Sequence, residues 1–247
     1  MQALFQTILY IPIFNAFVAL YNLIPDVGVV IIIITILLKL ALYPLTKSSI
    51  AAQKSMTEIQ PKLEALKKQH KGNQQLLAQE TMRLYKENKV NPLGSCLPIL
   101  IQLPIFIAIY WVFMQGLTGN DFGILYPFVK NPEHIKTISF GFVDLGKSGN
   151  VILAVLAAGA QYWQAKMMQS KRPPKEAGAG GKDEDMASIM NKQMLYFMPF
   201  LTLIIGFQFQ AGLALYWFVS TLLTGLQQKF MFAKNKTPEA PSTPANV

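Results

Sequence analysis

Lysine is rare inside long apolar runs, and Lys39 lies within one. From Val27 to Leu38 every residue is apolar except Gly28 and Thr35, and beyond Lys39 the apolar character resumes through Leu45. The nineteen residues from Val27 to Leu45 would form a helix of roughly 28 Å, close to the thickness of a bilayer's hydrocarbon core. Lys39 precedes Lys47 by eight residues, which puts it about 12 Å inside the end of that helix. An ammonium at such depth costs about 2.5–3.5 kcal/mol on insertion scales, so it belongs where protein or water solvates it. Snorkelling along the four-carbon stem is the alternative. Thr35, Lys39, Tyr43 and Thr46 follow at spacings of four, four and three, which gathers them on one helical face. Such a face offers a fixed positive charge and hydrogen bonds to a polar or acidic guest.

Other polar residues recur in apolar surroundings. Trp217, Thr221, Thr224 and Gln228 follow at four, three and four, with Ser220 beside them; Gln161 and Gln164 share a face, and Gln102 sits in a further run. Hydroxyl residues in a membrane helix commonly serve as packing glue. Taken with the Lys39 face, however, these groups exceed what packing requires, and they are expected to line a common wet interior. A second constellation is the methionine row Met186, Met190, Met194 and Met198, spaced by four. Flexible thioethers suit a surface that contacts varied apolar clients, and ordinary core filling explains them equally well.

Bond-making chemistry finds no support. Cys96 is the single cysteine, and His70 and His134 have no ligand spacing, so no metal site and no disulfide framework is expected. There is no phosphate-binding glycine loop, nucleophile elbow or paired-carboxylate motif. The chain therefore reads as a non-enzyme that needs no cofactor. No basic surface interleaved with aromatics is present, so direct nucleic-acid binding is not expected either.

The elements that must position these residues are apolar helices. The 247 residues are 52% hydrophobic and 14% charged, and the mean hydropathy is +0.32, the composition of an integral membrane protein. The fold class expected is an all-α five-span helical bundle with an N-terminal interfacial helix and a cytoplasmic helical hairpin. Residues 1–24 are read as an interfacial amphipathic helix, with a sixth span as the alternative; Phe5, Leu9, Phe17 and Leu20 lie on one side, a kink is expected at Pro12, and none of the basic residues that open a signal peptide is present. Residues 25–46 hold the first span and 47–91 the charged hairpin, with a seam of Met56, Ile59, Leu63 and Leu66 and a turn at Lys71-Gly72-Asn73. The second span occupies 92–117, an extracytoplasmic loop 118–149, the third span 150–168, a flexible cytoplasmic loop 169–192, the fourth and fifth spans 193–232, and a disordered tail 233–247.

Charge sets the expected topology. The hairpin carries nine Lys or Arg, region 166–192 six and the tail from Lys229 three, against three in the loop 118–149. The positive-inside rule then puts the hairpin, the 169–192 loop and the C-terminus in the cytoplasm, with the N-terminus outside.

Several strings in this order resemble one family: LLKLALYPLTKSS around Lys39, then YKENKVNPLGSCLPILIQLPIFIAIYWVF, FMPF and AGLALYWFVS. They are similar to the YidC/Oxa/Alb membrane protein insertases over about Leu20 to Phe232. The resemblance implies a hydrophilic groove open to cytoplasm and lipid in the bacterial cytoplasmic membrane. In such a groove Lys39, Thr35, Tyr43, Gln102, Gln161, Gln164, Trp217, Ser220, Thr221 and Thr224 would meet a client, and Met186, Met190 and Met194 would touch its apolar part. It implies nascent membrane proteins and the lipid bilayer as partners, with the ribosome, the signal-recognition particle receptor and the Sec translocon as further candidates. Two departures stand out: Lys39 occupies a position where the bacterial pattern has Arg, and the tail past Lys236 is nearly neutral rather than long and basic. The rival class is a small-solute or anion transporter with Lys39 as its anion site, although no inverted repeat or broken-helix pattern accompanies it.

Overall fold

The computed structural model describes residues 2–70, 72–91, 94, 97–116, 122–167 and 193–234. These are mostly helical. A short turn of helix, α1 (Gln2–Phe5), passes through a π-helical turn (Gln6–Tyr10) into α2 (Ile11–Leu23). Pro12 lies where the π turn passes into α2, and the helix runs through it from Gln6 to Leu23 without a break where the kink is expected. Tyr10, Phe14, Phe17 and Val18 are buried. The stretch Gln6–Leu23 is, among the described residues, the one unbroken helix with both the length and the apolarity to cross a bilayer.

Helix α3 (Val27–Ala41) starts on Asp26, whose carboxylate accepts hydrogen bonds from the N–H groups of Gly28 and Val29. An N-cap of this kind satisfies donors that have no partner within the helix. The expected single span to Leu45 does not form. The helix ends at Ala41, Leu42 leaves the helical region with φ −91° and ψ 5°, and α4 (Tyr43–Gln69) departs at 71°. Pro44 explains the break, because it donates no N–H and its ring would clash with the carbonyl of Leu40 in a continuous helix. Tyr43, Pro44 and Leu45 thus open the hairpin helix instead of closing the span.

Helix α4 pairs with α5 (Gln74–Glu87) through a small seam in which Ile59 and Leu84 are buried. Gly72 takes φ +91° in the turn, and Asn73 caps α5 by accepting the Leu76 N–H at 3.0 Å. Helix α6 (Leu97–Trp111) continues into a π turn, Val112–Gly116. After a 3-10 turn (Phe122–Ile124), strands β1 (Ile138–Ser139) and β2 (Val143–Asp144) make a two-residue antiparallel ladder. Helix α7 (Val151–Met167) begins on Asn150, which accepts from the Leu153 N–H at 3.0 Å. A π turn (Gln193–Phe197), α8 (Met198–Gln208) and α9 (Ala211–Lys234) complete the described chain. The 169–192 loop, the tail beyond Lys234 and the residues Met186 and Met190 lie outside the described residues.

The core joins the inner faces of α2, α3, α6 and α9, with Val30, Ile34, Ala108 and Leu213 among its buried members. Helices α7 and α9 come close because their contact is built from small residues: Gly225 lies directly under the Trp163 ring.

Candidate functional site

Lys39 occupies the last turn of α3, one turn before the break, and its ammonium points away from the exposed Leu37 and Leu40 into the bundle. There it donates to the Thr224 hydroxyl of α9 at 2.8 Å and to the Gln102 side-chain carbonyl of α6 at 3.4 Å. Gln102 is oriented in turn, since its amide donates to the Tyr216 hydroxyl at 2.6 Å and to the Ser220 hydroxyl at 3.4 Å. Thr224 passes its own proton to the Ser220 carbonyl at 2.8 Å. Three helices from distant parts of the chain therefore meet at one cation. Every acceptor is neutral.

This cluster sits in the wall of a cavity of about 410 Å³. Among its lining residues Lys39 is the one charged side chain, and no carboxylate faces it. The cavity brings together Thr35, Lys39, Gln102, Gln161, Gln164, Trp217, Ser220, Thr221 and Thr224. Thr35 is buried with its hydroxyl returned to the Ile31 carbonyl at 2.6 Å, so it contributes mainly its methyl and a satisfied oxygen to the wall. Gln161 accepts a hydrogen bond from the Thr202 hydroxyl of α8. Trp217 packs edge-on against Phe106, with ring centroids 5.3 Å apart, and supplies an apolar wall.

Tyr43 is the exception. It is 47% exposed and does not line the cavity, because the bend at Leu42 takes it off the face that Thr35 and Lys39 share. Met194 belongs to the π turn ahead of α8, on a different stretch from the cavity walls. The bend has a second consequence: α4 now crosses the end of the cavity and adds Thr46, Ser49 and Gln53 to its lining. Gln227 donates to Thr46 at 3.0 Å, and Gln228 donates to Gln53 at 3.3 Å, which ties α4 to α9. The Ser49 hydroxyl is buried with no hydrogen-bond partner among the described residues. Tyr216 also went unrecognised in the sequence, although Tyr216, Ser220 and Thr224 form an i, i+4, i+8 row that could have revealed it.

The described residues are mostly apolar helices folded around a cavity whose one charged described wall residue is Lys39. The model of the 60Kd inner membrane protein family matches residues 19–239, and the chain belongs to that family. It is similar to the membrane protein insertase YidC of Actinobacillus succinogenes, 35% identical over 223 residues, which are 90% of this chain and 36% of the relative. It is also similar to that of Fusobacterium nucleatum, 34% identical over 207 residues, which are 84% of this chain and 86% of the relative. Among solved structures it resembles a crystal structure of an active YidC insertase with its first transmembrane domain resolved. There the TM-score is 0.56 at 26% identity, covering 86% of this chain and 43% of the other. The chain thus spans about a third of the length of the Actinobacillus relative and most of the Fusobacterium one.

Proposed function

We propose that this protein is a membrane protein insertase, and that the cavity around Lys39 receives the hydrophilic tail of a client while the client's apolar segment moves into lipid. The observation that carries this reading is the Lys39 ammonium held at 2.8 Å by Thr224 and 3.4 Å by Gln102, with no carboxylate among the described residues of the cavity wall. An ammonium held by two neutral acceptors, with no carboxylate among the described residues around it, favours entry of an acidic or polar tail. The amides of Gln102, Gln161 and Gln164 and the hydroxyls of Ser49, Ser220 and Thr224 stand in for water around it. Burial of the client's apolar surface in lipid supplies the driving force, and no nucleotide is required.

In this reading α3, α6, α7, α8 and α9 are the five spans, residues 1–24 lie on the outer face, and the α4/α5 hairpin and the C-terminus are cytoplasmic. The charge distribution supports that orientation, with the hairpin's nine basic residues on the inner side. Nascent membrane proteins are the clients. The ribosome, the signal-recognition particle receptor and the Sec translocon are candidate upstream partners, and the methionines 186, 190 and 194 candidate contacts for apolar client segments. The names of the relatives support insertion over transport of a small solute.

Purified protein in vesicles tests the reading directly. Client insertion without a rise in ion or small-anion flux is the expected result. Flux without insertion would replace it with the transporter.

A further inference from the structure

The loop between α6 and α7 is fastened to one end of the bundle. The Gly28 N–H donates to the Ser139 hydroxyl at 2.8 Å, and the Phe140 N–H donates to Asp26 at 2.8 Å. The Gly212 N–H donates to the Leu145 carbonyl at 2.9 Å, and the Ala211 N–H to the Lys147 carbonyl at 2.8 Å. The loop is thereby pinned to the N-termini of α3 and α9, and Gly149 extends the same set of contacts to the end of α8 through the Phe207 carbonyl at 2.9 Å. Those helix ends mark a single level, where the spans would leave the hydrocarbon core.

At that level the β-hairpin presents apolar side chains outward. Ser139 is fully buried and faces the bundle, whereas Ile138, 60% exposed, and Phe142, 83% exposed, face away; Phe140 between them is part-covered by α3 and 43% exposed. Phe140 takes φ +53° and Gly141 φ +81°, and the Phe140 ring lies on Gly28, where no side chain intervenes. Two further features suit a headgroup zone: Lys130 and Lys136 in the same loop are exposed, and Phe128 is 80% exposed. Lys147 is already paired with Asp144 at 3.2 Å.

We infer that the tip of this hairpin is a lipid anchor: Phe142, flanked by Phe140 and Ile138, enters the interfacial layer of the bilayer beside α3, with Lys130 and Lys136 left at the level of the lipid phosphates. Aromatic rings at a helix end favour this layer, and nearby lysines meet the phosphates there. The inference rests on the reading that α3 crosses the bilayer. It assigns the loop a role distinct from the cavity, that of fixing the depth and tilt of α3 at the end opposite Lys39.

Spin-label accessibility in the full-length protein, reconstituted in phosphatidylcholine–phosphatidylglycerol vesicles, tests it. On a Cys96→Ser background, Phe142→Cys, Leu37→Cys and Gln75→Cys each carry one label; Leu37 lies on the exposed face of α3 and Gln75 on the exposed face of α5. The expected result is a ratio of oxygen to aqueous nickel accessibility several-fold higher at positions 37 and 142 than at 75. If position 142 matches 75 while 37 stays lipid-accessible, the anchor is overturned and the spanning reading stands. Low accessibility to both reagents at 142 would mean that a protein partner covers the tip, and would also overturn it. If 37 also matches 75, the spanning reading itself has failed.

Discussion

The Lys39 ammonium donates to the Thr224 hydroxyl at 2.8 Å, across 185 positions of sequence, and so joins the last turn of α3 to the middle of α9. Thr224 accepts this bond while donating to the Ser220 carbonyl, so the proton of its hydroxyl is committed and its oxygen faces the ammonium. In the structure the lysine is turned into the cavity wall, held by these neighbours on α6 and α9. Both of its acceptors are neutral.

The first prediction follows from that charge. Two opposite charges about 4 Å apart attract by about 4 kcal/mol at an effective dielectric near 20. Desolvation removes part of this, which leaves a preference of about 1–2 kcal/mol for an acidic tail, on the order of tenfold. Lys39→Glu is expected to impair clients with acidic tails by about that factor and neutral ones less, whereas Lys39→Arg retains insertion through paired hydrogen bonds. An insertion assay on two clients that differ only in tail charge measures it. Equal rates for both clients with Lys39→Glu would show that the charge plays no part.

Gln102→Glu approaches the same question without removing the lysine. It puts a carboxylate 3.4 Å from the ammonium, where an amide oxygen now stands. The resulting ion pair cancels the cavity's net charge, so discrimination between acidic and neutral tails should fall toward unity. Thermal stability should be retained, because the new pair is mutually compensated. Unfolding temperature and the two-client insertion ratio, measured together, separate loss of charge from loss of fold.

Two glycines in the α7/α9 region should respond in opposite ways. A Cβ on Gly225 would overlap the Trp163 ring, so Gly225→Ala must push α7 from α9 and should destabilise by about 1–3 kcal/mol. A Cβ on Gly159 meets nothing within 4 Å, so Gly159→Ala should be neutral or stabilise by up to about 1 kcal/mol through helix propensity. Thermal unfolding in detergent checks both. A Gly225→Ala variant as stable as the parent would mean the two helices are not packed as closely as the Trp163 contact requires.

Asp26 should make stability depend on acid. Burial raises its carboxyl, but hydrogen bonds from the Phe140 and Val29 N–H groups, the Ser139 hydroxyl and the Gly28 N–H outweigh this and hold it below the usual range. A carboxyl lower in the folded than in the unfolded chain stabilises above its unfolded value, near about 3.9, and loses that contribution as pH falls through the folded value. Both oxygens accept N–H bonds, Oδ1 from Gly28 and Val29 and Oδ2 from Phe140, and an amide supplies only one acceptor. Asp26→Asn should therefore cost about 1–2 kcal/mol at pH 7 and progressively less toward pH 3. Unfolding temperatures of both proteins at the two pH values give the comparison; a gap that stays constant would assign the effect to packing.

The sequence by itself determined the polar residues that could meet and the helices that carry them. A lysine in an apolar run has few places to go, and a 3.6-residue period fixes which neighbours share its face; thus Thr35 and Lys39, the Gln161/Gln164 pair and the Ser220/Thr224 pair were legible before any coordinates. The family strings carried the functional reading, and the positive-inside count carried the expected orientation. The turn read at Lys71-Gly72-Asn73 has a local determinant too, since Gly72 takes φ +91° there.

Tertiary structure alone decided the rest. Periodicity assumes a straight helix, so it put Tyr43 beside Lys39; the 71° bend at Leu42 removes Tyr43 and brings Ser49 and Gln53 of α4 to the cavity in its place. Tyr216 reads as a core aromatic on α9 until Gln102, 114 positions earlier, is found donating to its hydroxyl. The loop from Phe122 to Lys147 shows no strong local pattern, because its shape is set by bonds to distant helix ends, to Asp26, Gly28, Ala211 and Gly212. Helix faces follow from the short-range geometry of the chain. Which face meets which, and where a helix breaks against its neighbours, depends on contacts between residues a hundred or more positions apart, and these exist only once the bundle has closed.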